Sequence, residues 1–144
     1  MENLAIVFIP VLVAIITQIT KFGLFSFKNG LKWEYFFTHG HMPSTHSAFA
    51  ISLVIIVGYL ETVVTAPFAI AVALAVIIVD DALRLRMYLG DQGRYLNMLV
   101  ENLNLDASKY PRLKERVGHR TSEVIVGLIF GSAFSFLFIY IFSV

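Results

Sequence analysis

Two histidines, each beside helix-starting residues, carry the chemistry this chain offers. The run Gly40-His41-Met42-Pro43-Ser44-Thr45-His46-Ser47-Ala48 sets His46 at the mouth of an apolar stretch. Gly118-His119-Arg120-Thr121-Ser122-Glu123 does the same for His119, with a carboxylate four residues further on. A neutral imidazole can attack phosphorus, and a second can hand a proton to the leaving oxygen. Pro43 followed by Ser44 reads as a helix start, with Ser44 as cap and the amides of Thr45, His46 and Ser47 pointing outwards, an arrangement that suits an anion. If the last helix already includes His119, then His119 and Glu123 share one face, and the carboxylate can hold one ring nitrogen.

Charged residues close to this pair divide between functional and structural readings. Asp80 and Asp81 stand at a membrane boundary with Arg84 and Arg86 following. Asp81 and Arg86 could orient a guanidinium towards phosphate, or the pairs could merely neutralise charge at the interface. No further carboxylate stands at a spacing that completes a magnesium site, and His39-x-His41-x4-His46 matches none of the usual zinc spacings, so neither metal nor cofactor is expected. Gly127, Gly131 and Ser135 form a small-residue stripe that reads as packing within the bundle, with a homodimer seam as the alternative.

What must position these groups is a membrane protein. Of 144 residues, 58% are apolar and 15% charged, and mean hydropathy is +0.77. Four apolar stretches predict spans over about residues 4–20, 46–62, 66–83 and 122–142, a four-helix all-α transmembrane bundle forming one domain over 1–144. Only Glu2 precedes the first span and no small-residue cleavage site follows it, so it reads as an anchor. There is no cysteine and hence no disulfide framework.

All 11 lysines and arginines fall in two segments, Lys21 to Lys32 and Arg84 to Arg120. With four spans, both segments meet one membrane face, and the positive-inside rule makes that face cytoplasmic in a cell membrane. A phosphate site would also gather cations, which is a rival cause of the same asymmetry. Tyr88, Tyr95, Leu96, Leu99 and Leu103 recur at about helical spacing, predicting an amphipathic interfacial helix that Pro111 ends. A solvated linker is the alternative.

Together these residues resemble the type-2 phosphatidic acid phosphatase and vanadium haloperoxidase superfamily, most closely its divergent short branch. Of the superfamily's three motifs, Lys-x6-Arg-Pro survives as Lys21 with Lys28-Asn29. Pro-Ser-Gly-His becomes Pro43-Ser44-Thr45-His46, and Ser-Arg-x5-His-x3-Asp keeps His119 and Glu123 but has Leu113 where the arginine belongs. Arg86, Arg112 and Lys114 are the candidates to replace that charge. The divergent branch is matched by the Gly40 to Ala48 run, Asp81-Ala82 with Arg86 and Gly90, Lys114-Glu115, Gly118-His119, Glu123-Val124 and Gly127. Arg84 departs from it.

The resemblance implies the core of the phosphatidic acid phosphatase fold and a metal-independent phosphatase acting on a lipid phosphate or diphosphate held in the bilayer. It implies His119 as nucleophile, His46 as acid, Glu123 as orienting carboxylate, and Lys21, Lys28, Ser44, Thr45, Asp81 and Arg86 around the phosphate. Membrane lipid is the expected partner, a homodimer stays open, and no nucleic acid is expected. The alternative is a non-catalytic protein that binds or translocates lipid phosphate with the same cationic cup.

Overall fold

Each apolar stretch folds as a helix, because a backbone inside lipid must satisfy its own hydrogen bonds. The computed structural model describes residues 2–30, 42–106, 108–115 and 117–142. Helix α1 spans Glu2–Asn29, α2 Thr45–Glu61, α3 Ala66–Asp80, α4 Arg86–Asn102 and α5 Thr121–Phe142, and a π-helical turn, Asp81–Leu85, joins α3 to α4. Among the described residues there is no strand. Leu4–Phe27, Ala66–Asn102 and Thr121–Phe142 are long and apolar enough to cross a membrane. At 17 residues α2 is about 26 Å long, a little under the roughly 30 Å hydrocarbon layer. It is the central helix nonetheless, packing on α1, α3 and α5.

The core is small-residue and aliphatic: Ile9 and Val13 of α1 meet Ala48, Ile56 and Val57 of α2, with Ala71 of α3 and Ile139 of α5. The stripe on α5 lies inside this packing. A Cβ on Gly127 would stand 2.6 Å from Ser44 O, and one on Gly131 would stand 2.5 Å from Ala48 O. Ser135 is buried and donates to Gly131 O at 2.7 Å.

Three boundaries differ from the sequence reading: the first span, expected to end near residue 20, runs on to Phe27. The amphipathic helix ends at Asn102, well before Pro111, because Asn104 takes a left-handed conformation with φ 49°. Its N–H reaches Glu101 O and that of Leu105 reaches Val100 O, both at 3.1 Å, the pair of bonds that closes a helix C-terminus. Helix α5 begins at Thr121, so His119 stands outside it and does not share a helical face with Glu123. Arg120 is the cap residue instead, and Glu123, at the third helical position, reaches back to the Arg120 N–H at 3.2 Å. That is half of a capping box, and it also brings the carboxylate to the imidazole.

Candidate active site

Four chain segments converge at one end of the bundle. The far end of α1 brings Lys21, the start of α2 brings Thr45 and His46, the π turn brings Asp81 and Ala82, and the approach to α5 brings His119. The His46 and His119 rings lie with centroids 6.3 Å apart and planes inclined at 60°. His119 and Glu123 are each only 5% exposed, whereas His46 is exposed. His119 Nδ1 meets Glu123 Oε2 at 2.9 Å. With Nδ1 held by the carboxylate, Nε2 is the nitrogen left with a lone pair.

Backbone contacts fix the ring. The π turn slips the helical ladder by one residue, so that the Arg86 N–H reaches back five residues to Asp81 O. In the same turn Ala82 O accepts the His119 N–H at 3.1 Å. A slipped ladder also sets residues five apart side by side, and Arg86 Nε donates to Asp81 Oδ2 at 2.7 Å. Asp80 pairs with Arg84 on the exposed side. On the other flank Ser44 N donates to Glu123 O at 3.1 Å, tying the start of α2 directly to α5.

The remaining residues singled out in the sequence are distributed as follows. Lys21 is buried, and its charge acts on both Glu123 and His119. Ser44 is fully buried, its hydroxyl accepting from Ser47 Oγ at 2.9 Å and from Ser47 N at 3.4 Å. Thr45 Oγ1 donates to Gln18 Oε1 at 2.8 Å. The side chain of Lys28, and His39 and His41, lie outside the described residues. Of the three cations considered for the place of the motif arginine, Arg86 acts electrostatically on His119, while Arg112 is occupied by Glu101 and Glu115.

Gln18 and Asn97 were not anticipated. Gln18 precedes Lys21 by three residues and so lies on its face of α1, a polar residue within an apolar span and thereby a readable signal. Asn97 is buried on α4 and grips Leu113, donating to its carbonyl at 3.0 Å and accepting from its N–H at 2.9 Å. It also donates to Glu115 Oε1 at 2.9 Å, and this bond first, ahead of Arg112, holds the Glu115 carboxyl below its ordinary value. The stretch leading to His119 is thus clamped to α4 at the position where an arginine is missing.

Burial is the largest influence on His119 and pushes the imidazole below its ordinary value; the Glu123 hydrogen bond and charge oppose this, and the Lys21 and Arg86 charges add to it. A depressed histidine favours the neutral ring, so its contribution to stability is present above about pH 6.5 and is lost as pH falls through the folded value. The same neutral form is the one able to attack phosphorus. For any reaction in which this ring attacks, the rising limb of a pH–rate profile is therefore expected to lie below that of free imidazole, and Glu123→Gln, by removing the opposing carboxylate, moves it further to acid. Titrating kcat/KM from pH 4 to 8 checks both shifts; a limb at or above pH 6.5 in the parent contradicts the first.

A profile of the family described as divergent PAP2 matches residues 2–134. The chain belongs to the divergent PAP2 family. It is therefore a phosphatase-related, multi-pass membrane protein, in keeping with its helical bundle. It is also similar to YuiD of Bacillus subtilis (strain 168), an uncharacterized membrane protein, at 30% identity over 141 aligned positions covering 89% of each chain. No solved structure matches it significantly. Membership in the divergent PAP2 family agrees with the sequence resemblance and with the motifs, which lie at one end of the bundle.

Proposed function

We propose that this divergent PAP2 protein is a membrane phosphatase that hydrolyses a lipid phosphate or diphosphate through a phosphohistidine. The observation that carries the reading is the 6.3 Å separation of the His46 and His119 rings, with Glu123 holding Nδ1 of His119. Rings at that spacing bring both imidazoles within reach of one phosphoryl group, as attack by one ring and proton transfer from the other require. His119 Nε2 attacks, the N–P bond forms as the P–O bond to the lipid breaks, and His46 gives its proton to the departing oxygen. Water then attacks the phosphohistidine, the N–P bond breaks, inorganic phosphate leaves, and His46 recovers a proton. Lys21 and Arg86 offset the charge that grows on the phosphoryl oxygens, with Lys28 and Thr45 as further contributors and Asp81 orienting Arg86, while the buried Ser44 holds the start of α2 against α5 instead of touching phosphate.

Because the residues stand at a bundle end, the substrate's head would meet them while its tail stays in lipid. The gathered lysines and arginines favour the cytoplasmic leaflet of the cell membrane for that end. Single cysteines replacing Glu61 and Lys109, labelled on intact cells with an impermeant maleimide, check this. Labelling at 61 alone is expected, and labelling at 109 alone reverses the face.

One observation favours a second reading, a protein that binds or moves lipid phosphate without cleaving it: Leu113 occupies the place of the motif arginine, and its backbone is engaged by Asn97. Phosphate release by the purified protein in detergent, over isoprenoid and glycerolipid phosphates, decides between them. Turnover blocked by vanadate is the expected result. Saturable binding of the lipids with no release across the panel supports the second reading instead.

A further inference from the structure

Helix α4, with the residue on either side of it, carries a row of leucines that nothing within the described chain covers. Leu85, Leu89, Leu96, Leu99 and Leu103 are each 50–58% exposed, and with Gln92 they follow one another at steps of four, three, four, three and four. That alternation is a strict 3.5-residue repeat, the seam of a coiled coil. The face of α4 that the chain does use is a different one, formed by the buried residues Gly90, Gly93 and Asn97 against the 113–117 segment. The seam also continues a series that runs through α3 into the π turn. Phe68, Ala71, Ala75, Ile78 and Ala82 have the same spacing, and several of them pack inward. One 3.5-residue pattern thus runs from 68 to 103. It serves the bundle in its first half and faces outward in its second. The π turn is the cause, since one extra residue in the ladder rolls the following helix by about 100°.

We infer that α4 pairs with α4 of a second copy of this chain, as a parallel two-stranded coiled coil projecting from the bundle. Copies inserted with one topology are related by an axis along the membrane normal, which makes the two α4 helices run side by side in one direction. A lipid surface is a poorer occupant. It asks for a Lys- and Arg-rich polar face, and α4, although Tyr88 and Tyr95 widen its apolar side, has Arg86 and Arg94 balanced by Asp91 and Glu101. A neutral helix carries no net charge to repel its own copy, and a lone Gln92 amid leucines is the kind of polar seam residue that sets register. This inference stands independently of the proposed phosphatase activity.

The full chain has no cysteine, so single-cysteine variants report on it cleanly. In native membranes treated with copper phenanthroline, Leu89→Cys and Leu96→Cys are expected to give a band of doubled mass at least fivefold more strongly than Met98→Cys, which lies off the seam. In nanodiscs the parent is expected at the mass of two chains and Leu96→Glu with Leu99→Glu at that of one, with unchanged helical circular dichroism. Equal crosslinking on and off the seam overturns the inference. So does a parent of one chain, including one whose leucine positions are quenched by lipid-borne probes and thus belong to the bilayer surface, or an assembly larger than two. Should the double variant lose its helicity, the crosslinking contrast alone decides.

Discussion

His119→Ala is expected to abolish phosphate release, with a loss well beyond 10³-fold, while leaving the bundle folded. In the proposed reaction this imidazole is the group whose free nitrogen forms the covalent bond. Losing a nucleophile removes the reaction path itself, so what remains is only the assistance of the surrounding cations. His46→Ala is expected to cost less, about 10²–10⁴-fold, since it removes proton donation to the leaving oxygen and leaves the attack intact. The two losses should not add, because attack and proton transfer belong to one event. A substrate whose leaving group needs no proton separates the roles: with an aryl phosphate of low leaving-group pKa, His46→Ala should recover most of its rate and His119→Ala none. Equal recovery by both variants would break the assignment of acid and nucleophile. His119 also contacts the rest of the site through its backbone N–H on Ala82 O, a bond that alanine keeps. Any loss in His119→Ala is for this reason attributable to the ring rather than to collapse of the loop.

The spans, the two histidines and their common end of the bundle are legible in the sequence because each rests on local chemistry: apolar runs of membrane length, a proline and serine before a helix, a histidine near a glutamate. The meeting of His119 and Glu123 is legible too, but for a different physical reason than helical register. Glutamate at the third position of α5 folds back over the first turn, and it reaches a ring that lies outside the helix. The π turn has no such local signature. Asp81 and Arg86, five apart, read as a loose interfacial pair until the slipped ladder brings them side by side. Asn97 is illegible for a related reason: its partners at 113 and 115 are remote in sequence, and an asparagine among polar neighbours on α4 looks solvated. The leucines of α4 read as an interfacial stripe at helical spacing. Their stricter 3.5-residue repeat becomes meaningful only once the structure leaves them uncovered and the π turn explains why.

The geometry that brings the two imidazoles together depends on how closely α5 approaches α2, and Gly131→Val is expected to destroy it. Even the first carbon of a side chain at 131 would lie 2.5 Å from Ala48 O and 2.6 Å from Ala48 Cα, and both are backbone atoms with no rotamer to escape into. The clash can be relieved only by parting the helices. Overpacking a core typically costs about 1–3 kcal/mol, and a branched side chain against main chain belongs at or above the top of that range. That is a large share of the roughly 5–15 kcal/mol by which folded domains are stable. Parting α5 from α2 also draws the approach to α5 away from the start of α2, where Ser44 N bonds Glu123 O and His46 follows two residues on. Loss of activity should therefore accompany loss of stability. Gly131→Ala is expected to fall between parent and valine in both, because its single carbon already meets the backbone. The comparison is Gly23→Ala on α1, where a Cβ meets nothing within 4 Å, and alanine should gain about 0.5–1 kcal/mol from helix propensity alone. Unfolding of the three variants in mixed micelles orders them. If Gly131→Ala proves as stable as Gly23→Ala, then α2 and α5 do not approach as closely as the site requires, and the two imidazoles lose the contact that makes them a pair.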